Sequence, residues 1–325
     1  MESIIARWQI QKWNVAFRKG YVVFDDRLLN AEVIRRLTRC PDQVVLGSSR
    51  CMQLRQEFFP GSYFVNHALR RAVLEDVICL WQLYRRRGWS PKRILIGVDA
   101  WLLDAAYWKE YWLELRAAFG EIQEEWRLPY PTKPDRWERD YIAKRRAELG
   151  TANHWKRIVA SLLPGMKLFF FKTRADSLVQ YVRRIDGSVS YHREFRERAP
   201  AQVIETIQKS VRFPTHPISE NMKCLLEQFM GKLGSEGVEV SLIIPPYHPA
   251  FCRLNGKNIH GNVIEGYDDF RSGLNELEYS VRKLAEKNRI RVYGSFDPSK
   301  AGAGENEFFD WMHAKELVFK RMLEK

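Results

Sequence analysis

The sequence lacks several features, and each absence narrows the field. No apolar run approaches the roughly 18 residues that cross a bilayer, so we expect no integral membrane span. The N-terminus, MESIIARWQIQKWNVAFRKG, has no uninterrupted apolar core and no small-residue cleavage site, so no signal peptide is expected. The five cysteines (Cys40, Cys51, Cys79, Cys224, Cys252) are scattered, odd in number and free of any C-x-x-C pair. That argues against a disulfide framework or a structural zinc site and suits a reducing compartment; with no anchor read in the sequence, a cytoplasmic location is expected. His154, His192, His216 and His260 form no pair with metal-ligand spacing, so no metal is expected. Gly302-Ala303-Gly304 follows no strand pattern and lacks the further glycine of a dinucleotide fingerprint, so no nucleotide or other cofactor is expected.

What is present is an ordinary globular composition, 45% hydrophobic over 325 residues, which excludes wholesale disorder. The length fits two domains or one α/β domain with an insertion. The formal charge is +13, and the stretch 121–198 holds 17 Lys/Arg against 11 Asp/Glu. Such a basic, aromatic-bearing region attracts an acidic polymer, whether glycan, nucleic acid or anionic lipid, or is simply a solvated surface. Residues 1–19 mix Ile4, Ile5, Trp8, Ile10 and Trp13 with Arg7, Lys12 and Arg18, the character of a surface-seeking segment.

Short β-branched runs alternate with helical patterns. Strands are expected at Gln43–Gly47, Ser62–Asn66, Lys92–Val98, Val238–Ile244 and Arg289–Tyr293. Helices are expected from Ala72 to Arg87, stopped by Gly88, from Tyr267 to Lys287, and over the closing HAKELVFKRMLEK. Strands separated by helices form a parallel sheet covered on both faces. The expected architecture is a three-layer α/β/α sandwich on a mainly parallel five-stranded sheet, flavodoxin-like in type. The expected organisation is a helical lead-in at 1–42 and an α/β domain at 43–325, interrupted at 104–213 by a helical insertion or cap. The insertion carries Trp108, Tyr111, Trp112, Trp126, Trp137 and Trp155, as stacking platforms or as core. Tyr107, Trp108, Tyr111 and Trp112 recur at helical spacing, which favours core. Within the insertion Lys167–Lys172 reads as β-like and Asp186-Gly187-Ser188 as a turn.

Ligands of open α/β sheets bind beyond the carboxyl ends of the strands. Gly47-Ser48-Ser49-Arg50, Gly97-Val98-Asp99 and Asp310-Trp311-Met312-His313 all fall there. A serine at a strand end can take oxyanion donors from the turn's amides, but it needs a base, and the base needs a carboxylate to orient it. Asp310 and His313 on one short segment can supply both. Alone, Gly-Ser-Ser at a strand end is more often a helix N-cap than a nucleophile, and Asp-x-x-His before a helix reads likewise as a cap beside a structural histidine. His248, in Pro-Pro-Tyr-His-Pro, reads either as a substrate contact or as a histidine fixed by packing. His67 and Arg50 are further candidates for the cleft, Arg50 for an anionic group of the substrate or for a nearby carboxylate.

In these residues the chain resembles the SGNH (GDSL-like) hydrolases. Val44-Val45-Leu46-Gly47-Ser48-Ser49-Arg50 is similar to the family's Gly-Asp-Ser block, with Ser48 in the Asp position, and Asp310-Trp311-Met312-His313 to its Asp-x-x-His block. The resemblance implies a Ser49 nucleophile, a His313 base and an Asp310 orienting carboxylate. Phe64-Val65-Asn66, Leu74-Glu75-Asp76, Gly97-Val98-Asp99-Ala100-Trp101-Leu102-Leu103 and Pro245-Pro246-Tyr247-His248-Pro249 resemble a bacterial subgroup related to exopolysaccharide O-acylation and D-alanine transfer proteins. Members of that subgroup commonly work outside the cytoplasm behind a membrane anchor. The implied function is a serine esterase or acyltransferase acting on an acylated small molecule or glycan. Two departures keep a catalytically silent binding module for an acidic glycan or nucleic acid as the alternative. The family's second-block glycine donor is missing from His67-Ala68-Leu69-Arg70-Arg71, where Arg71 lies near the expected place. Asp99 stands where an asparagine donor is expected, and an ionised carboxylate only accepts. Either Arg70 or Arg71 compensates, or the reaction is slow, or catalysis is lost.

Overall fold

A computed structural model describes residues 25–104, 110–129, 140, 143, 147, 181–191, 193–198, 200–208, 215–258 and 260–324. The segment 1–19, Tyr107, Trp108, Trp137, His154, Trp155, His192 and the β-like stretch Lys167–Lys172 lie outside the described residues.

Seven strands are β1 (Gln43–Leu46), β2 (Phe64–Asn66), β3 (Arg93–Gly97), β4 (Tyr181–Arg183), β5 (Val189–Tyr191), β6 (Glu239–Ile244) and β7 (Arg291–Gly294). Five of them form one all-parallel sheet in the order β2-β1-β3-β6-β7. The longer helices are α1 (Asp26–Arg36), α2 (Leu74–Arg85), α3 (Arg116–Trp126), α4 (Pro200–Gln208), α5 (Glu220–Ser235), α6 (Tyr267–Lys287) and α7 (Glu316–Glu324).

Strand periodicity builds the layers, because successive side chains leave opposite faces of a sheet. Val44, Leu46, Ile94, Ile96, Leu242 and Ile244 join one core with α2, α3, α5 and α6. Val45, Leu95 and Ile243 face the other way and pack with Val318, Phe319 and Met322 of α7. The result is the three-layer α/β/α sandwich expected from the alternation. In α2, Leu74, Val77, Ile78, Trp81 and Tyr84 are all buried, and Gly88 beyond it has φ +66°. Helix α6 occupies the span the sequence suggests, with Tyr267, Phe270, Leu274, Leu277, Val281 and Leu284 turned inward.

The described parts of the stretch 104–213, expected as a helical insertion or cap, include both helices and a hairpin. Helix α3 joins the helical layer beside α2, where Trp112, Phe119, Ile122 and Trp126 are buried while Tyr111 is exposed. Strands β4 and β5 form an antiparallel hairpin around the Asp186-Gly187-Ser188 turn. The hairpin closes onto the sheet's second face: the Asn66 N–H donates to the Asp186 carbonyl at 2.7 Å, and the Val189 N–H to the Met52 carbonyl at 2.9 Å. Gly187 has φ +82°, and a Cβ there would stand 2.1 Å from the Asn66 carbonyl oxygen, so the close approach requires glycine. Among the described residues no helix is long and apolar enough to cross a membrane.

Candidate functional site

The sheet order reverses direction at β1, since β2 lies on one side of it and β3 on the other. That reversal is the topological switch point, where crossovers leave opposite faces and open a crevice. The loops after β1 and β3 flank it. Gly47 and Gly97 permit the two loops to touch, because a Cβ on Gly97 would lie 2.5 Å from Cys51 Sγ and one on Gly47 2.9 Å from Gly97 Cα.

Beyond Gly47 the chain turns into a single 3-10 turn, Ser49–Cys51, capped by the Ser48 hydroxyl, which accepts from the Arg50 N–H at 3.1 Å. Ser48 is thus the cap and Ser49 the first residue of the turn. The amides that open a helical turn have no partner inside it, and the Ser49 N–H is one of these. The half-buried Ser49 hydroxyl lies 3.0 Å from His313 Nε2. His313 Nδ1 lies 2.7 Å from Asp310 Oδ2, and Asp310 Oδ1 accepts from the Met312 and His313 amides, both at 2.9 Å. These contacts assign the tautomer: Nδ1–H donates to Asp310, and the Nε2 lone pair faces the serine hydroxyl. Burial alone would raise the Asp310 carboxyl, but the His313 ring and the hydrogen bonds it receives hold it below its ordinary value.

The Asp310–His313 segment is a tight turn closed by pairing of Phe308 with Ala314 and by the Phe309 N–H donating to the His313 carbonyl at 2.9 Å. It precedes α7 rather than entering it. Tyr191 of β5 stacks on Phe309, with ring centroids 4.1 Å apart, and stands tilted 6.5 Å from the His313 ring.

Other residues singled out in the sequence take different places. Of the two roles open to Arg50, the structure shows the carboxylate partner: its guanidinium is buried and paired. It pairs with Asp99 at 3.3 Å, donates to the Pro245 carbonyl at 2.5 Å, the Pro246 carbonyl at 3.1 Å and the Met312 carbonyl at 3.1 Å, and lies 4.0 Å over the Tyr247 ring. One side chain therefore ties together the loops after β1, β3 and β6 and the turn that carries His313. A buried guanidinium persists only with such partners. Asp99 is buried beneath the serine loop between Arg50 and the Ser48 hydroxyl. Burial raises its carboxyl, and Arg50, Ser48 and His313 oppose that without cancelling it.

His248 is fixed by packing. Its Nδ1 accepts from the Ala250 N–H at 3.0 Å and its Nε2 donates to the Glu305 carbonyl at 3.2 Å. His67 is likewise withdrawn from any cleft, with Nδ1 at 2.7 Å from Asn30 Oδ1 and Nε2 at 2.5 Å from the Tyr84 hydroxyl. Burial, then the Arg183 charge, pushes its pKa down to about 3. The Arg70 and Arg71 side chains are exposed, with Arg70 paired to Asp26 at 2.7 Å. Arg71 has φ +54°, the left-handed backbone that favours glycine, in the loop where the resemblance expects one.

Sequence reasoning missed three supporting groups. Asn66 donates to the Cys51 and Leu54 carbonyls, both at 2.9 Å, and accepts from the Ala68 N–H, so it splints the serine loop. Arg27 and Arg183 come from the lead-in and the hairpin and are buried against the loop after β2. Only Asn66 had a signal, as part of Phe64-Val65-Asn66.

An α/β sandwich with a serine, a histidine and a carboxylate in hydrogen-bonded series at its switch point has the parts for nucleophilic acyl chemistry. No protein-family model, curated protein or solved structure matches the chain.

Proposed function

We propose that this chain is an SGNH-like serine esterase or acyltransferase acting on an ester-linked acyl group, with acylated small molecules and acylated glycans as the substrate classes. The observation that carries the reading is the series Ser49 Oγ, His313 Nε2, His313 Nδ1, Asp310 Oδ2, in which a 3.0 Å hydrogen bond joins Ser49 and His313, 264 positions apart in sequence, and a 2.7 Å hydrogen bond joins His313 to Asp310. Ser49 Oγ bonds to the acyl carbon while its proton passes to His313 Nε2. Asp310 stabilises the imidazolium. His313 returns the proton to the leaving alkoxide as the ester C–O bond breaks, leaving acyl-Ser49. A second hydroxyl, from water or from a sugar, then attacks the acyl carbon as His313 Nε2 takes its proton; the bond from the acyl carbon to Ser49 Oγ breaks, and His313 returns the proton to Ser49 Oγ. Water gives hydrolysis and sugar gives transfer. The Ser49 N–H and a backbone amide of the loop after β2 receive the developing oxyanion. No cofactor enters this scheme. The unpaired thiols suit a reducing cytoplasm.

Asp99 at an expected donor position favours the second reading, a silent module that binds an acidic glycan or nucleic acid. The Arg50 pairing answers it in part, because a carboxylate matched with a buried guanidinium repels an oxyanion far less. An alkyl fluorophosphonate followed by intact-mass analysis separates the two. The enzyme predicts one adduct on the wild-type chain, mapped to Ser49 and abolished in Ser49→Ala. No adduct, together with tight salt-sensitive binding of heparin, would establish the module instead.

A further inference from the structure

The loop after β2 is gripped by buried charges. Leu69 pairs with Ser48 in a parallel bridge, which brings the start of this loop beside the serine loop two residues before Arg71. Arg27 of α1 is locked in a two-pronged pair with Asp76 of α2, Nε to Oδ1 at 2.9 Å and Nη2 to Oδ2 at 2.7 Å. Its remaining donor, Nη1, meets the Arg70 carbonyl at 3.0 Å, and Nη2 also reaches the Arg71 carbonyl at 3.4 Å. Asp26 accepts from the Arg70 N–H at 3.2 Å, and Asp76 from the Val73 N–H at 3.0 Å. The amides of His67, Ala68 and Leu69 donate to the Val45 carbonyl, the Asn66 side chain and the Gly47 carbonyl. The Arg71 N–H has no partner among the described residues.

A trans peptide holds its carbonyl and its N–H on opposite edges of one plane. The Arg70 carbonyl and the Arg71 N–H belong to the same plane, so fixing the first aims the second away from Arg27. A guanidinium on the carbonyl also draws electron density from the amide and strengthens the N–H as a donor. The left-handed φ of Arg71, which strains a non-glycine residue, persists because these contacts over-determine the loop. Building on the serine-hydrolase reading above, we infer that Arg27 is a positioning residue: its grip on the Arg70 carbonyl aims and polarises the Arg71 amide as the second oxyanion donor beside the Ser49 N–H.

The test uses the full chain and a saturation series of the same fluorophosphonate, which separates maximal labelling rate from reagent affinity. Arg27→Lys keeps the charge facing Asp76 but loses the planar fork that spans carboxylate and carbonyl. Arg183→Lys is the control. It alters an equally buried pair, Arg183 with Asp26 at 3.1 Å, whose carbonyl contacts are Ala68 and Gly187 rather than the 70–71 peptide. Thermal melts establish that both variants are folded at the labelling temperature. Arg27→Lys is expected to lower the maximal rate at least tenfold at unchanged reagent affinity, while Arg183→Lys stays within twofold. Equal losses in the two variants, or an Arg27→Lys rate within twofold of wild type, would overturn the inference while leaving the Ser49 chemistry standing. Absence of any Ser49 adduct on the wild type would remove both. If Arg27→Lys does not fold, Asp76→Glu supplies the same reading: it shifts the guanidinium without removing charge and is expected to cut the maximal rate at unchanged affinity, with a wild-type rate again overturning the inference.

Discussion

At the residue scale the places of the polar side chains are decided by partners that are far away in sequence, as for Ser49 with His313 and for His67 with Asn30. Ser49, Asp310 and His313 were legible because each sits in a short local pattern at a strand end or a turn. His67 and Arg50 were not, because nothing near them in sequence tells whether they face a cavity or a core. His67 is decided by Asn30 and Tyr84, on α1 and α2, which use both of its ring nitrogens. This placement has a pH consequence. Its folded pKa of about 3 lies below the unfolded value of 6.5, so protonation favours the unfolded chain. The neutral ring's contribution is complete above pH 6.5 and is lost as pH falls toward 3, by about 1.4 kcal/mol per pH unit. His67→Gln can donate to Asn30 and accept from Tyr84 without titrating. Urea unfolding at pH 7, 6, 5 and 4 should therefore show a shallower acid decline for the variant than for wild type. Parallel declines would mean that His67 is not held neutral.

At the element scale the parallel strands declared themselves as contiguous β-branched runs, and their buried faces follow from the alternation of side chains. The hairpin did not. Its strands are three residues each, too short for any periodicity to show. Only the Asp-Gly-Ser turn was visible. What fixes the hairpin is long-range: Arg183 buried against Asp26 and the Ala68 carbonyl, Asp186 accepting from the Gln56 amide at 2.8 Å, and Tyr191 stacked on Phe309 beside His313. An element that looks like part of an insertion is therefore wedged between the serine loop and the histidine turn. Gly187→Ala is the sharpest test of that wedge. It adds a methyl against the Asn66 backbone at a φ that L-residues avoid, which predicts a loss of about 2–4 kcal/mol. Thermal or urea unfolding would measure it, and a loss below about 0.5 kcal/mol would mean that the hairpin is not seated on Asn66.

At the scale of the whole molecule, 53 Lys/Arg against 40 Asp/Glu leave a formal charge of +13 on the chain. Many of the described arginines are already matched, Arg50 with Asp99, Arg27 with Asp76 and Arg183 with Asp26, so the pairing that holds the fold consumes cations and anions alike. The excess remains as a long-range field. Such a field acts over roughly 10 Å at 0.1 M salt and concentrates anions around the protein. Under the proposed acyl chemistry it would favour anionic substrates before any contact is made, and salt would erase the preference without touching the Ser49–His313–Asp310 series. Two p-nitrophenyl esters make the comparison, the acetate being neutral and the succinate half-ester anionic. As salt rises from 20 to 500 mM, kcat/KM for the succinate is expected to fall about threefold or more, while that for the acetate stays within about 1.5-fold. Equal salt responses would show that the net charge plays no part in substrate capture, and would confine the basic surface to solvation.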